Sequence, residues 1–239
     1  MKKISVIIPT RNEENYLLDT FKSLEEQTYK NFELIVKDGL SIDNTLDIAK
    51  EYADLVVSKK DESIGDARNQ GAEYANGEIF VFLDADTYIE QDALERIAND
   101  FENYDITLVL PRFLPKRGII RYKGKYIYAP RPIDEFVSFS EDFIRKYIYH
   151  YVGGMCMPCD ASAFKKVGGF NKKMRVGEDI ELSRRLVKCG PVLCDHNIKV
   201  HYSIRRYLKQ GWLKTVLIYW TYMFRSTLSL EQPEHIIIR

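Results

Sequence analysis

Four short apolar runs constrain this chain more than anything else in it: Ile4-Ser5-Val6-Ile7-Ile8, Phe32-Glu33-Leu34-Ile35-Val36, Ile79-Phe80-Val81-Phe82-Leu83 and Ile106-Thr107-Leu108-Val109-Leu110. None shows the strict alternation of a strand with one wet face. Each therefore fits a strand buried on both faces of a parallel sheet. Helical periods lie between them. Leu17, Phe21 and Leu24 fall at i, i+4, i+7; Ile42, Leu46, Ala49 and Ala53 continue that spacing; Leu94, Ile97, Ala98 and Phe101 draw a third stripe. Asn12 is a candidate cap for the first helix, and Ser41 or Asp43 for the second. The alternation predicts an α/β fold with a mainly parallel central sheet and right-handed crossovers.

After Pro111 the texture changes. Residues 111–135 mix Arg112, Lys116, Arg117, Arg121, Lys123, Lys125 and Arg131 with Phe113, Tyr122, Tyr126 and Tyr128, and four prolines disfavour long helices. A loop of this length in a compact domain is usually functional or mobile. Regular structure is expected again over Phe136–Tyr151, in a strand near Met155–Pro158, and in a helix near Glu178–Cys189 with Leu182, Leu186 and Cys189 inward. A last apolar helix is expected from about Arg205 to Arg225. No internal repeat or linker appears, so the reading is one domain over 1–205, dividing at 110/111, followed by an amphipathic helix and tail over 206–239.

Charge narrows the function classes. The 239 residues carry 35 Lys+Arg and 35 Asp+Glu, a formal net charge of zero. A general nucleic-acid binder would show a basic excess. The apolar start after Lys2 and Lys3 is shorter than an export signal's core, and Trp212–Phe224, interrupted by Lys214, is too short to span a bilayer. The expectation is a cytoplasmic protein, soluble or peripheral at the membrane, with its four cysteines reduced.

The chemistry-bearing residues sit where the strands end. Asp84 and Asp86 follow the third run directly, and alternation would direct both to one side of its carboxyl end. Open parallel sheets bind ligands in that crevice. Two close carboxylates repel unless a cation or protons neutralise them, and a hard divalent metal is the natural partner. A solvated turn before the next helix is the alternative. The first strand ends in Pro9-Thr10-Arg11-Asn12-Glu13, the second in Lys37-Asp38-Gly39. Turn or cap roles suit each alone; converging on one edge, they favour a site. Arg68, in Gly65-Asp66-Ala67-Arg68-Asn69-Gln70-Gly71, could reach an anion or form a surface ion pair. Cys156-x-x-Cys159 with Cys189 and Cys194 lacks the paired spacing of a zinc knuckle, so zinc is set aside. Gly168-Gly169-Phe170 reads as a tight turn.

Taken in order, Ser5–Glu13, Lys37–Thr45, Gly65–Gly71, Leu83–Asp86 and Val167–Phe170 followed by Gly177-Glu178-Asp179 resemble the family 2 inverting glycosyltransferases with a GT-A fold, from about residue 4 to 205. The resemblance implies a Rossmann-like sheet flanked by helices, a nucleotide-sugar donor, most often a UDP-sugar, and Mn2+ or Mg2+ on its diphosphate. It implies that 1–110 binds the donor and 111–205 carries the acceptor and catalytic half. By position, Pro9, Arg11 and Glu13 would hold the nucleotide, Asp38 would contact the base with Arg68 nearby, and Asp84 would serve ribose and metal. Asp86 would ligate the metal, Asp179 would be the catalytic base, and Arg205 or Arg206 would hold the pyrophosphate. His201 resembles a third metal ligand; a structural histidine is its alternative. A helix N-cap is the alternative for Asp179.

The acceptor expected is a hydroxyl of a glycan or lipid-linked sugar. A polyprenyl phosphate is the nearer rival, although Thr87-Tyr88-Ile89-Glu90 lacks the Gln or His that often follows the acid pair in such enzymes. A non-catalytic nucleotide-sugar-binding subunit is a second rival, disfavoured because Asp84, Asp86 and Asp179 are all present. A nucleotidyltransferase would need a glycine-rich loop where Pro9-Thr10-Arg11-Asn12 stands. The 206–225 helix and the basic, aromatic 112–131 segment suit a membrane interface; packing on the sheet or a homodimer contact are the alternatives.

Overall fold

The computed structural model describes residues 1–115, 119–122, 125–128, 151–205, 211 and 236–238. In chain order the elements are β1 (Ile4–Thr10), α1 (Leu17–Glu25), β2 (Phe32–Asp38), α2 (Thr45–Tyr52), β3 (Leu55–Ser58), α3 (Ile64–Ala72), β4 (Ile79–Leu83), β5 (Thr87–Ile89), α4 (Ala93–Asn103), β6 (Leu108–Pro115), β7 (Ile119–Tyr122), β8 (Lys125–Tyr128), β9 (Cys156–Asp160), α5 (Ala161–Lys166), α6 (Glu178–Leu186), β10 (Val192–Tyr202) and β11 (Ile236–Ile238).

The main sheet runs β11-β10-β6-β9-β4-β1-β2-β3, with β5 joined to β10, and β7-β8 form a separate hairpin. β3, β2, β1 and β4 are parallel neighbours. β9 enters antiparallel between β4 and β6, while β10 is parallel to β6, so β10 points the same way as β4. The mixed, mainly parallel α/β sheet expected from the apolar runs is present. Its central strands are buried on both faces: β1 and β4 are buried at every position.

Helices cover the sheet through the stripes the sequence draws. Leu17, Phe21 and Leu24 of α1, and Leu94, Ile97, Ala98 and Phe101 of α4, are buried. Three local expectations are corrected. Ile42 lies before α2 and is 93% exposed, because the helix starts only at Thr45. Asn12 does not cap α1; at φ 57° it turns back and its side-chain oxygen accepts the Ile42 N–H at 2.9 Å. β6 does not stop at Pro111 but continues to Pro115. Pro111 lies opposite Asp195, where β10 bulges before rejoining at Lys199, and a bulge tolerates a residue with no N–H to give. The expected structure over 136–150 and 206–225 lies outside the described residues, apart from Gly211.

Candidate active site

Because β1, β2, β4 and β10 run the same way, Thr10, Asp38, Leu83 and Tyr202 end at one edge of the sheet. Asp84 leaves β4 in a tight turn: its N–H donates to the Met155 carbonyl at 3.0 Å, and its carbonyl accepts from the Thr87 N–H at 3.1 Å. That turn holds Ala85 and Asp86. The two carboxylates engage different guanidiniums. Asp84 pairs with Arg68 Nη2 at 2.8 Å, and Asp86 with Arg205 Nε at 2.7 Å.

Arg68 is no surface residue. It is 1% exposed, and its Nη1 donates to Glu178 at 2.8 Å while Nη2 also donates to the Gly154 carbonyl at 3.0 Å. Its guanidinium stands 5.3 Å from the Phe170 ring centre. Burial alone would weaken its hold on the proton; Asp84, Glu178 and Asp179 outweigh that and raise its pKa. The sequence reading sets Arg68 near Asp38; the carboxylates it pairs with in the structure are Asp84 and Glu178.

Asp179 stands in the first turn of α6, whose N-cap is Gly177 at φ 78°. Its carboxylate accepts from the Gly154 N–H at 2.7 Å and from the Ile180 N–H at 2.8 Å. Burial is the main cause of its raised pKa, with the neighbouring Glu178 charge adding and Arg68 opposing. Burial also pushes Asp86 up to about 6; Arg205 opposes that, and the Asp84 and Glu13 charges reinforce it.

Arg205 closes the other side. Its Nη1 and Nη2 bind the two oxygens of Glu13 at 2.6 and 2.8 Å across 192 residues of sequence, and its guanidinium lies 4.7 Å from the Tyr16 ring centre. Glu13 is tied down in turn, its N–H donating to Thr45 Oγ1 at 2.7 Å. Pro9 is buried within β1, and Arg11 is exposed just beyond it. Asp38 is fully buried. It accepts from Ser41 Oγ at 2.5 Å, the Ser41 N–H at 3.1 Å, Ser58 Oγ at 2.9 Å and Thr10 Oγ1 at 3.4 Å.

His201 is engaged by groups other than the acid pair. Its Nε2 is 3.3 Å from Glu90, and its ring stacks on Tyr88 with centres 4.5 Å apart and planes 3° from parallel. Among the described residues no three His, Cys, Asp or Glu side chains stand close enough to enclose a metal ion. The structure thus brings together Glu13, Asp84, Asp86, Asp179, Arg68 and Arg205, but not His201 with the acids. Among the described residues, five carboxyl groups, counting Glu178, share two guanidiniums here. That surplus of negative charge suits a bound cation. Glu178, Gly154 and Tyr16 carry no role in the sequence reading. Glu178 was visible only as the neighbour of Asp179, and nothing in the sequence marks Gly154.

The sequence profile described as Glycosyl transferase family 2 matches residues 5–168, more than half of the chain. The chain belongs to that family. An uncharacterized glycosyltransferase of Rickettsia typhi is 27% identical over 203 residues, covering 82% of this chain and 62% of the relative. This family 2 chain thus spans less than two thirds of that relative's length. The dolichyl N-acetyl-alpha-D-glucosaminyl phosphate 3-beta-D-2,3-diacetamido-2,3-dideoxy-beta-D-glucuronosyltransferase of Methanococcus voltae is 29% identical over 237 residues, covering 88% of this chain and 71% of its own. Among solved structures, S. aureus TarS 1–349 in complex with UDP-GlcNAc superposes with a TM-score of 0.62 at 22% identity, covering 84% of this chain and 58% of TarS. The mannosyltransferase PcManGT from Pyrobaculum calidifontis, in complex with GDP-Man and Mn2+, gives 0.66 at 19% identity, covering 90% and 64%. These likenesses establish the GT-A-like fold. No helix among the described residues is long and apolar enough to cross a membrane.

Proposed function

We propose that this chain is a metal-dependent inverting glycosyltransferase that moves a sugar from a nucleotide-sugar, a UDP-sugar first among the candidates, to a hydroxyl of a glycan or lipid-linked acceptor. The observation that carries the reading is the meeting of Asp84, Asp86 and Asp179 with Arg68 and Arg205 at one sheet edge, although they come from distant segments. Family membership supports donor chemistry, the UDP-GlcNAc complex of TarS supports a UDP-sugar, and the name of the Methanococcus relative supports a lipid-linked acceptor.

Each residue has a task in this reading. Asp179 takes the proton from the acceptor hydroxyl as it attacks, and its raised pKa suits a base that must hold that proton. Arg205 offers its guanidinium to the negative charge growing on the departing diphosphate. Pro9, Arg11 and the Asp38 network line the nucleotide end, and Glu13 sets the direction of Arg205. Asp86 with Asp84 fits Mn2+ or Mg2+, which typically takes one or two carboxylates and completes its shell with substrate phosphate and water. When bound, that cation supplies Lewis-acid stabilisation of the leaving group. The basic 112–131 and amphipathic 206–225 segments are proposed to meet the acceptor or a cytoplasmic membrane face.

The test is release of nucleoside diphosphate from UDP-, GDP- and dTDP-sugars, with Mn2+ and with chelator, for wild type and Asp179→Asn. One donor should turn over with a hydroxyl acceptor, and Asp179→Asn should lose about 100-fold or more of that rate. Wild-type turnover by Asp179→Asn on a polyprenyl phosphate would transfer the assignment to the phosphate-acceptor class, which needs no base.

A further inference from the structure

The backbone of Gly154 joins the two halves of the site. Its N–H donates to Asp179 at 2.7 Å and its carbonyl accepts from Arg68 Nη2 at 3.0 Å. The same Nη2 donates to Asp84 at 2.8 Å, while Nη1 holds Glu178, the residue before Asp179. The next residue along, Met155, takes the Asp84 N–H on its carbonyl. A single buried guanidinium thus touches the donor-side acid, the start of the base-bearing helix, and the carbonyl of a residue whose N–H also holds the base. Room for it exists only because residue 154 lacks a Cβ, which would lie 2.6 Å from Nη2 and 3.1 Å from Cζ.

We infer that Arg68 and Gly154 are positioning residues that set where Asp179 stands relative to Asp84, so that a base and a donor site on separate segments keep one spacing. Neither residue is assigned contact with sugar or acceptor; both act through Asp179. The inference rests on the transferase reading for its kinetic consequence, but the seating of Asp179 is testable without any donor.

Two ways of disturbing the tie suit the test. Arg68→Lys keeps the charge but cannot reach Asp84, Glu178 and the Gly154 carbonyl together, because one ammonium replaces a planar fork. Gly154→Ala leaves all partners present and displaces the guanidinium; Gly154 is not at positive φ, so alanine meets no backbone objection. Carbodiimide labelling of Asp179 in the presence of glycine ethyl ester, read by peptide mass spectrometry, reports its seating. Labelling should rise about tenfold in either variant, with Gly154→Ala adding little in the Arg68→Lys background because the two act through one contact. With a donor that wild type turns over, kcat should fall about 100-fold while donor KM changes by no more than about threefold, the mark of a misplaced base.

A purely structural role predicts otherwise: a lower Tm with kcat per active site and Asp179 labelling unchanged, which would overturn the inference. So would additive effects of the two substitutions. Increased Asp179 labelling in variants of a protein whose wild type turns over none of the UDP-, GDP- or dTDP-sugars would uphold the tie and overturn the transferase reading instead.

Discussion

At the scale of single residues, Asp86 shows how the site is held against its own electrostatics. Its folded-state pKa, pushed up to about 6, lies above the 3.8 of an ordinary aspartate. Between those values the folded protein binds a proton that the unfolded chain has released, so stability falls as pH rises through about 4 to 6. Metal-free Asp86→Asn should therefore be more stable than wild type at pH 8 by about 1–3 kcal/mol, with the difference closing towards pH 4. Urea denaturation at a series of pH values in chelator measures this. A divalent cation should reverse the trend, because it favours the ionised carboxylate. Added Mn2+ should then stabilise wild type more at pH 8 than at pH 5, and barely affect Asp86→Asn.

At the scale of elements, α3 presents Arg68 to the site by packing unusually close to β1. A Cβ at Gly71 would lie 2.6 Å from Ile7 Cγ2, inside a core with no slack. Gly71→Ala should cost about 1–3 kcal/mol by overpacking. It should also lower turnover beyond what its unfolded fraction explains, since lifting α3 withdraws Arg68 from Asp84 and Glu178. Equilibrium unfolding together with the rate per folded molecule separates the two effects. In the sequence the α3 segment stands out only for Gly65 and Gly71 on either side of Arg68. Its Arg68 reads there as a cation that could reach an anion or form a surface ion pair, because period and composition say nothing about the acids beneath it. The stripes of α1 and α4 were fully legible, since burial of one face repeats along a helix. The start of α2 was not, because Ile42 fits the stripe by spacing while the Asn12 and Ser41 hydrogen bonds hold its segment in a loop.

Across the whole molecule, Glu13 and Arg205 clamp the loop after β1 to the end of β10, and Arg205 reaches Asp86 in the same contact. Charge-assisted hydrogen bonds of this kind are worth about 1.5–3 kcal/mol. Arg205→Gln should raise amide hydrogen exchange at 11–16 and 201–205 by about tenfold or more, a factor equal to about 1.4 kcal/mol, while β1 and β4 keep their protection. Equal protection in both proteins would mean that the clamp is not what closes the edge. The β10 pairing with both β6 and β5 makes this edge a continuation of the central sheet, so the clamp joins two rigid ends.

By itself the sequence determined the α/β layering, the strands at the centre of the sheet, the edge where polar residues gather, and the family. All of these follow from local patterns: apolar runs, helical spacing, and motifs read within a few residues. Only the tertiary structure decided that Arg68 pairs with Asp84 and Glu178, that Arg205 bridges Glu13 and Asp86, that His201 turns to Glu90 and Tyr88, and that Gly154 leaves space for a guanidinium. Those outcomes depend on distances between segments up to 192 residues apart, set by strand order and helix packing, and no local pattern encodes them.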